Sequence, residues 1–250
     1  MWEEARRRLA QRALERQLAY QQHKAQHARG REEEIIAAMM RSSARVREKL
    51  ETFQTIKADA RVVEVGSGAH GLIFYFGTEH RIGVDPLAVS YGSLFPCWQG
   101  RAQTIAAVGE SLPFADQSFD VVLCDNVVDH AESPRKIVGE LARILVPGGL
   151  LYFTVNIHHQ LYSIAAGLHS SWRAAGVPYE VGPFADHTTH LTLNAAANLF
   201  HNLPLKILSE TSNIDEARAR ARKQPARHMG DRLKRMFFKN ALYEVVARRV

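Results

Sequence analysis

The chain has 250 residues, 46% hydrophobic and 23% charged, with 16 Gly and 9 Pro. That balance belongs to a globular protein able to bury a substantial core as one or two domains. No apolar run approaches the roughly 20 residues that cross a bilayer, and Met1–Arg8 lacks the apolar core of a secretory signal. The two cysteines, Cys97 and Cys124, form no CxxC. A disulfide framework or zinc site is therefore not expected, and a reducing cytoplasm fits best. The net charge of +6 is unevenly placed, with Arg6, Arg7, Arg8, Arg12 and Arg16 at one end and Arg218 to Lys239 near the other. These stretches read first as solvated helix faces. The sharper reading is an anionic partner reached through residues 218–239: a phosphorylated or lipid-linked substrate, or the inner face of a membrane. Nucleic acid ranks last, since no recognised binding motif accompanies the charge.

Residues 1–57 read as helix, a break at His27-Ala28-Arg29-Gly30-Arg31, and a second helix. The second carries a stripe of Ile35, Ile36, Met39, Met40, Val46, Leu50 and Phe53 at three- and four-residue spacing. Such a stripe cannot be buried by the helix alone, which makes this segment an N-terminal helical cap on the domain formed by residues 58–250.

From Ala60 onward, short β-branched runs alternate with helices. Strands are expected at Arg61–Val65, Arg81–Val84, Gln103–Val108, Phe119–Leu123 and Leu150–Val155. The helix before the fifth strand has Ser133 as N-cap, Pro134 at N1 and an apolar face of Ile137, Val138, Leu141, Ile144 and Leu145, stopped by Pro147-Gly148-Gly149. Further on come a helix near Asn194–Asn202 capped by Thr192, a strand near Leu205–Glu210, a basic insertion over residues 212–240 and a last strand near Leu242–Arg248. This order predicts an α/β fold around a mostly parallel sheet covered on both faces, its final strands pairing antiparallel.

The glycine run after the first strand, Gly66-Ser67-Gly68-Ala69-His70-Gly71, fits GxGxxG. At a strand-to-helix junction such a turn lets a ligand approach the backbone and meet exposed helix N–H groups. A dinucleotide pyrophosphate and the carboxylate of an amino-acid ligand both satisfy it. Asp85, ending the second strand, can take the ribose hydroxyls of adenosine in either case. Glu64 discriminates: a carboxylate there would repel phosphate and attract the ammonium and sulfonium charges of S-adenosylmethionine. Burying it unpaired would cost on the order of several kcal/mol, so a cationic or hydrogen-bonding partner is required. A structural glutamate satisfied by a local donor is the plainer alternative.

The runs Glu64-Val65-Gly66-Ser67-Gly68, Gly83-Val84-Asp85-Pro86, Gly109-Glu110-Ser111-Leu112-Pro113-Phe114, Ser118-Phe119-Asp120-Val121-Val122 and Leu145-Val146-Pro147-Gly148-Gly149 occur in this order. Together they resemble the class I S-adenosylmethionine-dependent methyltransferases, in the subgroup acting on quinones, small metabolites, lipids and glycans, over roughly residues 58–156. The resemblance implies a Rossmann-like seven-stranded, mostly parallel sheet with an antiparallel last strand. It implies that Glu64, Gly66, Ser67 and Gly68 line the methionine end of the cofactor, that Asp85 holds the ribose with Pro86 flanking the adenine, and that Glu110 and Ser111 lie beside the adenine edge. Asp125 and Asn126 would face the methionine moiety and open onto the substrate. The chain departs from the family at His70, where the third loop glycine is expected, and at Val108, where the family has an acidic residue.

Methyl transfer from a sulfonium is an in-line displacement, so placement of the acceptor does much of the work. A base is needed only for an acceptor protonated at pH 7, and histidine is the usual choice. The candidates are His130, beside Asp129; His158, followed by His159 after the fifth strand; and His187 and His190 in Phe184–Leu191. An ordinary loop role is the plainer reading of each, and the His187/His190 spacing alone does not define a metal site. Residues 157–190, with Tyr162, Trp172, Tyr179 and Phe184, read as a substrate lid. The favoured function is methylation of a small-molecule, glycan or lipid-linked acceptor, most simply at a hydroxyl. The competing readings are a non-catalytic adaptor on this fold and a nicotinamide-dependent dehydrogenase.

Overall fold

Strand β1 (Arg61–Val65) is central, which explains its near-continuous apolar run: Val62, Val63 and Val65 are all buried. In the computed structural model, which describes residues 17–160, 190–223 and 241–250, it is flanked by β2 (His80–Val84) and β4 (Phe119–Asp125). The remaining strands are β3 (Gln103–Ile105), β5 (Leu145–Ile157), β6 (Leu205–Ser212) and β7 (Ala241–Arg249). The seven-stranded sheet has the order β3-β2-β1-β4-β5-β7-β6. Strands β1 to β5 pair in parallel, and β7 lies antiparallel between β5 and β6. The expected mostly parallel sheet with an antiparallel last strand is therefore present. The C-terminal ends of β1, β2, β4, β5 and β6 share one edge with the start of β7.

Two strands differ from expectation. Strand β3 is short and lies at the sheet edge. Strand β5 begins directly at Leu145 and takes in Pro147-Gly148-Gly149, which was read as a separate turn. Phe119 pairs with Leu145 and Val121 with Leu150, so the register shifts there. A bulge absorbs the proline, which cannot donate to the ladder, and Gly148, whose φ is 81°.

Helix α5 (Pro134–Ile144) buries Ile137, Val138, Leu141 and Ile144 against one face of the sheet. Pro134 sits at N1 as expected, but Ser133 makes no side-chain cap. The Glu110 carboxylate accepts from the N–H groups of Glu132 and Ser133, at 3.2 and 3.4 Å, and so holds the chain entering the helix.

The main departure lies between β1 and β2. No α-helix follows the glycine run; a four-residue 3-10 turn, Leu72–Tyr75, takes its place. Leu72, Ile73, Phe74 and Phe76 are all buried, so the segment has no polar face to present to water as an amphipathic helix would. The vacant layer is filled from upstream. Residues 17–28 are helical (α1), and α2 (Glu32–Glu51) lays Met39, Val46 and Leu50 into one cluster with Val62, Leu72, Ile73, Phe74 and Tyr152. Ser43 Oγ donates to Leu72 O at 2.5 Å. The Arg47 guanidinium donates to the carbonyls of Phe76, Gly77 and Ile56 at 3.1, 2.7 and 2.9 Å. Lys49 pairs with Glu244 of β7, whose other oxygen accepts from Tyr152 at 2.8 Å. The N-terminal segment thus supplies a covering layer of the sheet itself.

Past β5, α6 (Leu193–Ala197) is capped as expected, Thr192 Oγ1 accepting from Ala195 N at 3.2 Å. A 3-10 turn, Asn198–Phe200, completes that helical segment. The described part of the basic insertion forms α7 (Ile214–Lys223). Among the described residues no helix is long and apolar enough to cross a membrane.

Candidate cofactor and acceptor site

The glycine turn leaves β1 at the ligand-binding edge of the sheet. The N–H groups of Gly66 and Ser67 both donate to Val84 O, at 2.7 and 3.0 Å, tying the turn to the end of β2. Gly66 has φ 76°, and a Cβ there would lie 2.2 Å from a methyl of Val127. Only glycine meets both demands. Asp85 closes the turn: Oδ2 accepts from Gly68 N at 3.0 Å and Oδ1 from Leu87 N at 2.8 Å. Its carboxyl is buried, and that burial raises its pKa against the lowering effect of the two backbone bonds. A Cβ on Gly68 would stand 4.0 Å from Asp85 Oδ2, so the bare face of this glycine lies beside the carboxylate. Pro86, next in the chain, is exposed.

Alternation along β1 turns Glu64 away from Val63 and Val65, toward the face carrying the 3-10 turn. Its side chain is 2% exposed, and Oε2 accepts from Ile73 N at 2.9 Å. Burial pushes its pKa up to about 8, and the charges of Asp125 and Asp85 add to the rise. The partner required on energetic grounds is thus backbone N–H, and at neutral pH the carboxyl is mostly protonated. Gly71 is explained by the same contact: a Cβ there would fall 2.4 Å from Glu64 Oε2 and 2.6 Å from Ser67 O. The late glycine of the loop makes room for Glu64, and His70 occupies the place before it.

His70 is held by rings. Its centroid lies 5.1 Å from that of Phe95 and 5.2 Å from that of Trp98. Burial and the charge of Lys24 lower its pKa to about 4, so the imidazole is neutral at physiological pH. Helices α3 (Ala88–Leu94) and α4 (Pro96–Gln99) build this nest. From α4, Trp98 Nε1 donates to Ala69 O at 2.6 Å, and Gln99 Nε2 donates to Gly68 O and Ala69 O at 3.2 and 3.1 Å. Trp98 and Gln99 escaped the sequence reading. The local signal was Phe95-Pro96-Cys97-Trp98, a proline-started turn dense in aromatics.

The end of β4 faces the turn. Asp125 Oδ1 accepts from Thr154 Oγ1 at 2.5 Å. The carboxylate opens to solvent, yet the surrounding protein raises its pKa by desolvation, opposed by Thr154 and by the Arg45 charge. Asn126 has φ 57°, an unusual conformation that asparagine tolerates. Its N–H donates to Thr154 O at 3.1 Å, and its Oδ1 accepts from Asn156 N at 3.1 Å. Ser111 is exposed beside Glu110.

Of the histidines, His158 and His190 are brought together, their ring centroids 5.1 Å apart, with His158 N donating to Leu191 O at 2.8 Å. His130 ends a separate 3-10 turn, Val128–His130, after β4. His187 and the aromatics Tyr162, Trp172, Tyr179 and Phe184 lie outside the described residues.

A glycine turn without a following helix does not suit a pyrophosphate. The helix N–H groups that would hold its charge are absent, and Ile73 N–H is taken by Glu64. What remains is a buried carboxylate beside a bare glycine backbone, which fits a nucleoside ribose and a zwitterionic amino-acid end.

Comparison with known proteins agrees. Residues 63–153 match the family model described as a methyltransferase domain. An uncharacterized methyltransferase of Mycobacterium sp. (strain KMS) is 31% identical over 144 residues, 56% of this chain and 47% of that protein. The chain thus spans about half the length of this relative. The rat (Rattus norvegicus) thiol S-methyltransferase TMT1B is 50% identical over 50 residues, 20% of each chain. The crystal structure of geranyl diphosphate C-methyltransferase from Streptomyces coelicolor A3(2), in complex with Mg2+, geranyl diphosphate and S-adenosyl-L-homocysteine, superposes with a TM-score of 0.57. That likeness, at 12% identity over 83% of this chain and 77% of that one, is one of fold. Together these similarities show a match to a methyltransferase domain over residues 63–153 and the fold that known methyltransferases share.

Proposed function

We propose that the chain transfers a methyl group from S-adenosylmethionine to a hydroxyl of a small-molecule, glycan or lipid-linked acceptor. The observation that carries the cofactor reading is Asp85 bridging Gly68 N and Leu87 N at the mouth of a glycine turn that has no helix behind it. When bound, the cofactor supplies an electrophilic methyl: its C–S bond breaks as a C–O bond forms, and S-adenosylhomocysteine leaves while the acceptor proton passes to a base or to water.

The chain's own residues position and exclude. Asp85 offers a fixed carboxylate to ribose hydroxyls, with Pro86 and the Glu110-Ser111 stretch flanking the adenine. The turn at Gly66, Ser67 and Gly68 admits the methionine end. Trp98 and Gln99 hold that turn rigid from behind, which limits reorganisation on binding. Glu64 acts beneath the turn rather than within it, as a mostly neutral acceptor of backbone N–H. Asp125 and Asn126, tied to β5, form the wall between cofactor and acceptor. His158 and His190 are the candidates for the base whose side chains are described, and His130 and His187 stand with them. The helical cap over residues 1–57 and the segment 157–190 would shape the acceptor side. A cytoplasmic location, with residues 218–239 able to meet an anionic substrate or the inner membrane face, suits this chemistry.

The test is label transfer. The full chain is incubated with methyl-labelled S-adenosylmethionine and fractionated cell extract, and the labelled product is treated with mild alkali. An ether on a former hydroxyl survives this treatment and a methyl ester does not. Alkali-stable label is expected in a non-protein fraction; alkali-labile label would exclude the hydroxyl, and absence of transfer would favour the adaptor.

A further inference from the structure

At the edge of the sheet opposite the glycine turn, strands β1, β2, β3 and β4 begin. A cavity of about 750 Å³ opens along these strand starts, within the range of about 300–1,000 Å³ usual for small-molecule sites. Four basic side chains line it from three stretches of chain: Arg61 from β1, His80 and Arg81 from β2, and Arg101 from the loop before β3. Ile82, Ala102 and Phe119 supply its apolar part. Strands β1 and β2, of five residues each, place it about 16 Å from the glycine turn and Asp85. It is therefore separate from the site of methyl transfer.

Each of the three guanidiniums is held in place and keeps donors to spare. Arg61 donates through Nε and one terminal nitrogen to the two oxygens of Asp120, at 3.2 and 3.3 Å, and its backbone N–H donates to Asp120 Oδ2 at 2.8 Å. Its other terminal nitrogen has no acceptor among the described residues. Arg81 donates through one terminal nitrogen to Arg101 O at 2.9 Å, and its Nε is enclosed without an acceptor. Arg101 lies over the ring of Tyr75, its guanidinium carbon 5.0 Å from the centroid, a contact that supplies no oxygen acceptor. Two carboxylates lie near. Asp120 is engaged by Arg61, and Glu79, the acidic residue of the lining, is exposed. An excess of positive charge remains, on groups whose positions are already fixed, so little ordering is left for a ligand to bring about.

We propose that this cavity binds a small organic phosphate, as a second ligand distinct from the cofactor and from the methyl acceptor. A phosphate monoester carries about two negative charges at pH 7 and presents three strong acceptor oxygens. Those oxygens match the unused donors of Arg81 and Arg101, which approach from neighbouring chain segments and suit paired hydrogen bonds to an oxyanion. A carboxylate offers one charge and fewer acceptors to the same donors. The carbon body of the ligand rests on Ile82, Ala102 and Phe119.

The experiment is calorimetry of the full chain with phenyl phosphate and, separately, with benzoate, at low ionic strength where screening is weak. Saturable one-to-one binding of phenyl phosphate is expected, with benzoate about tenfold weaker or more. Arg101→Ala, at an exposed loop position, should lower phenyl phosphate affinity about tenfold or more, as one lost charge-assisted hydrogen bond implies. Arg41→Ala, on the exposed face of α2, should leave it within about twofold of wild type. Excess S-adenosylhomocysteine should leave the binding in place, since the two sites share no residue. Absence of saturable binding, equal loss in both variants or benzoate binding as tightly as phenyl phosphate would overturn the proposal. So would displacement by S-adenosylhomocysteine, which would put the phosphate in the glycine turn.

Discussion

Replacing Glu64 by glutamine separates the burial of this side chain from its charge. In the native protein the carboxyl titrates near pH 8 against an ordinary value of 4.5, because it is buried under the glycine turn with backbone N–H as its partner. Between these values the folded state keeps a proton that the unfolded state has released. The stabilising contribution is therefore complete below about pH 4.5 and is lost as pH rises through about 8. Each unit within that window costs roughly 1.4 kcal/mol. Glu64→Gln preserves shape and an acceptor for Ile73 N–H but cannot ionise. Its absolute stability shifts by whatever the amide gains or loses against the 3-10 turn, and that offset does not vary with pH. Urea denaturation of both proteins at pH 5 and pH 7.5 should show the variant gaining about 3 kcal/mol relative to wild type over that interval. Parallel pH profiles would refute the reasoning and mean that Glu64 is charged in the native state and paired in some other way.

Other consequences of the same geometry can be measured directly. Gly71→Ala places a methyl against Glu64 Oε2 and the Ser67 carbonyl, and since the backbone cannot yield, a loss of about 1–3 kcal/mol is expected in denaturant melts; an unchanged midpoint would contradict it. Trp98→Phe keeps the ring nest but removes the bond to Ala69 O, which should cost about 1 kcal/mol of stability and weaken S-adenosylhomocysteine binding, as read by calorimetry. His70, with its pKa lowered to about 4 against an ordinary 6.5, should show a flat Cε1–H chemical shift from pH 8 down to pH 5.5. Its contribution to stability is complete above 6.5 and lost as pH falls toward 4, the opposite sense to Glu64, and a titration midpoint near 6.5 would show the nest to be open.

The strands and the glycine turn after the first of them were legible because they are written locally. A run of buried valines ending in glycine and an aspartate ending the next strand each depend on a few consecutive residues. What escaped depends on contacts distant in sequence. The 3-10 turn in place of a helix follows from five consecutive apolar or aromatic residues, Leu72–Phe76, whose burial on every side requires α2 to fold over them. Glu64 was read as aimed at a ligand because the identity of its partner, Ile73 N–H, depends on that same missing helix. Ser133 has the residue type of an N-cap, but its side chain makes no capping hydrogen bond. The candidate histidines were recognised one at a time. That His158 meets His190 follows from the Leu191 carbonyl capturing the His158 N–H, which no spacing rule encodes.

The central claim is that the turn from Gly66 to Gly68, closed by Asp85, binds S-adenosylmethionine. Calorimetry of the full chain with S-adenosylmethionine, S-adenosylhomocysteine and NADH, repeated on Asp85→Ala, tests it most directly. The account predicts one-to-one binding of the first two, no binding of NADH, and a loss of about tenfold or more in the variant. Binding of NADH, or an Asp85→Ala protein that binds S-adenosylmethionine as wild type does, would contradict it.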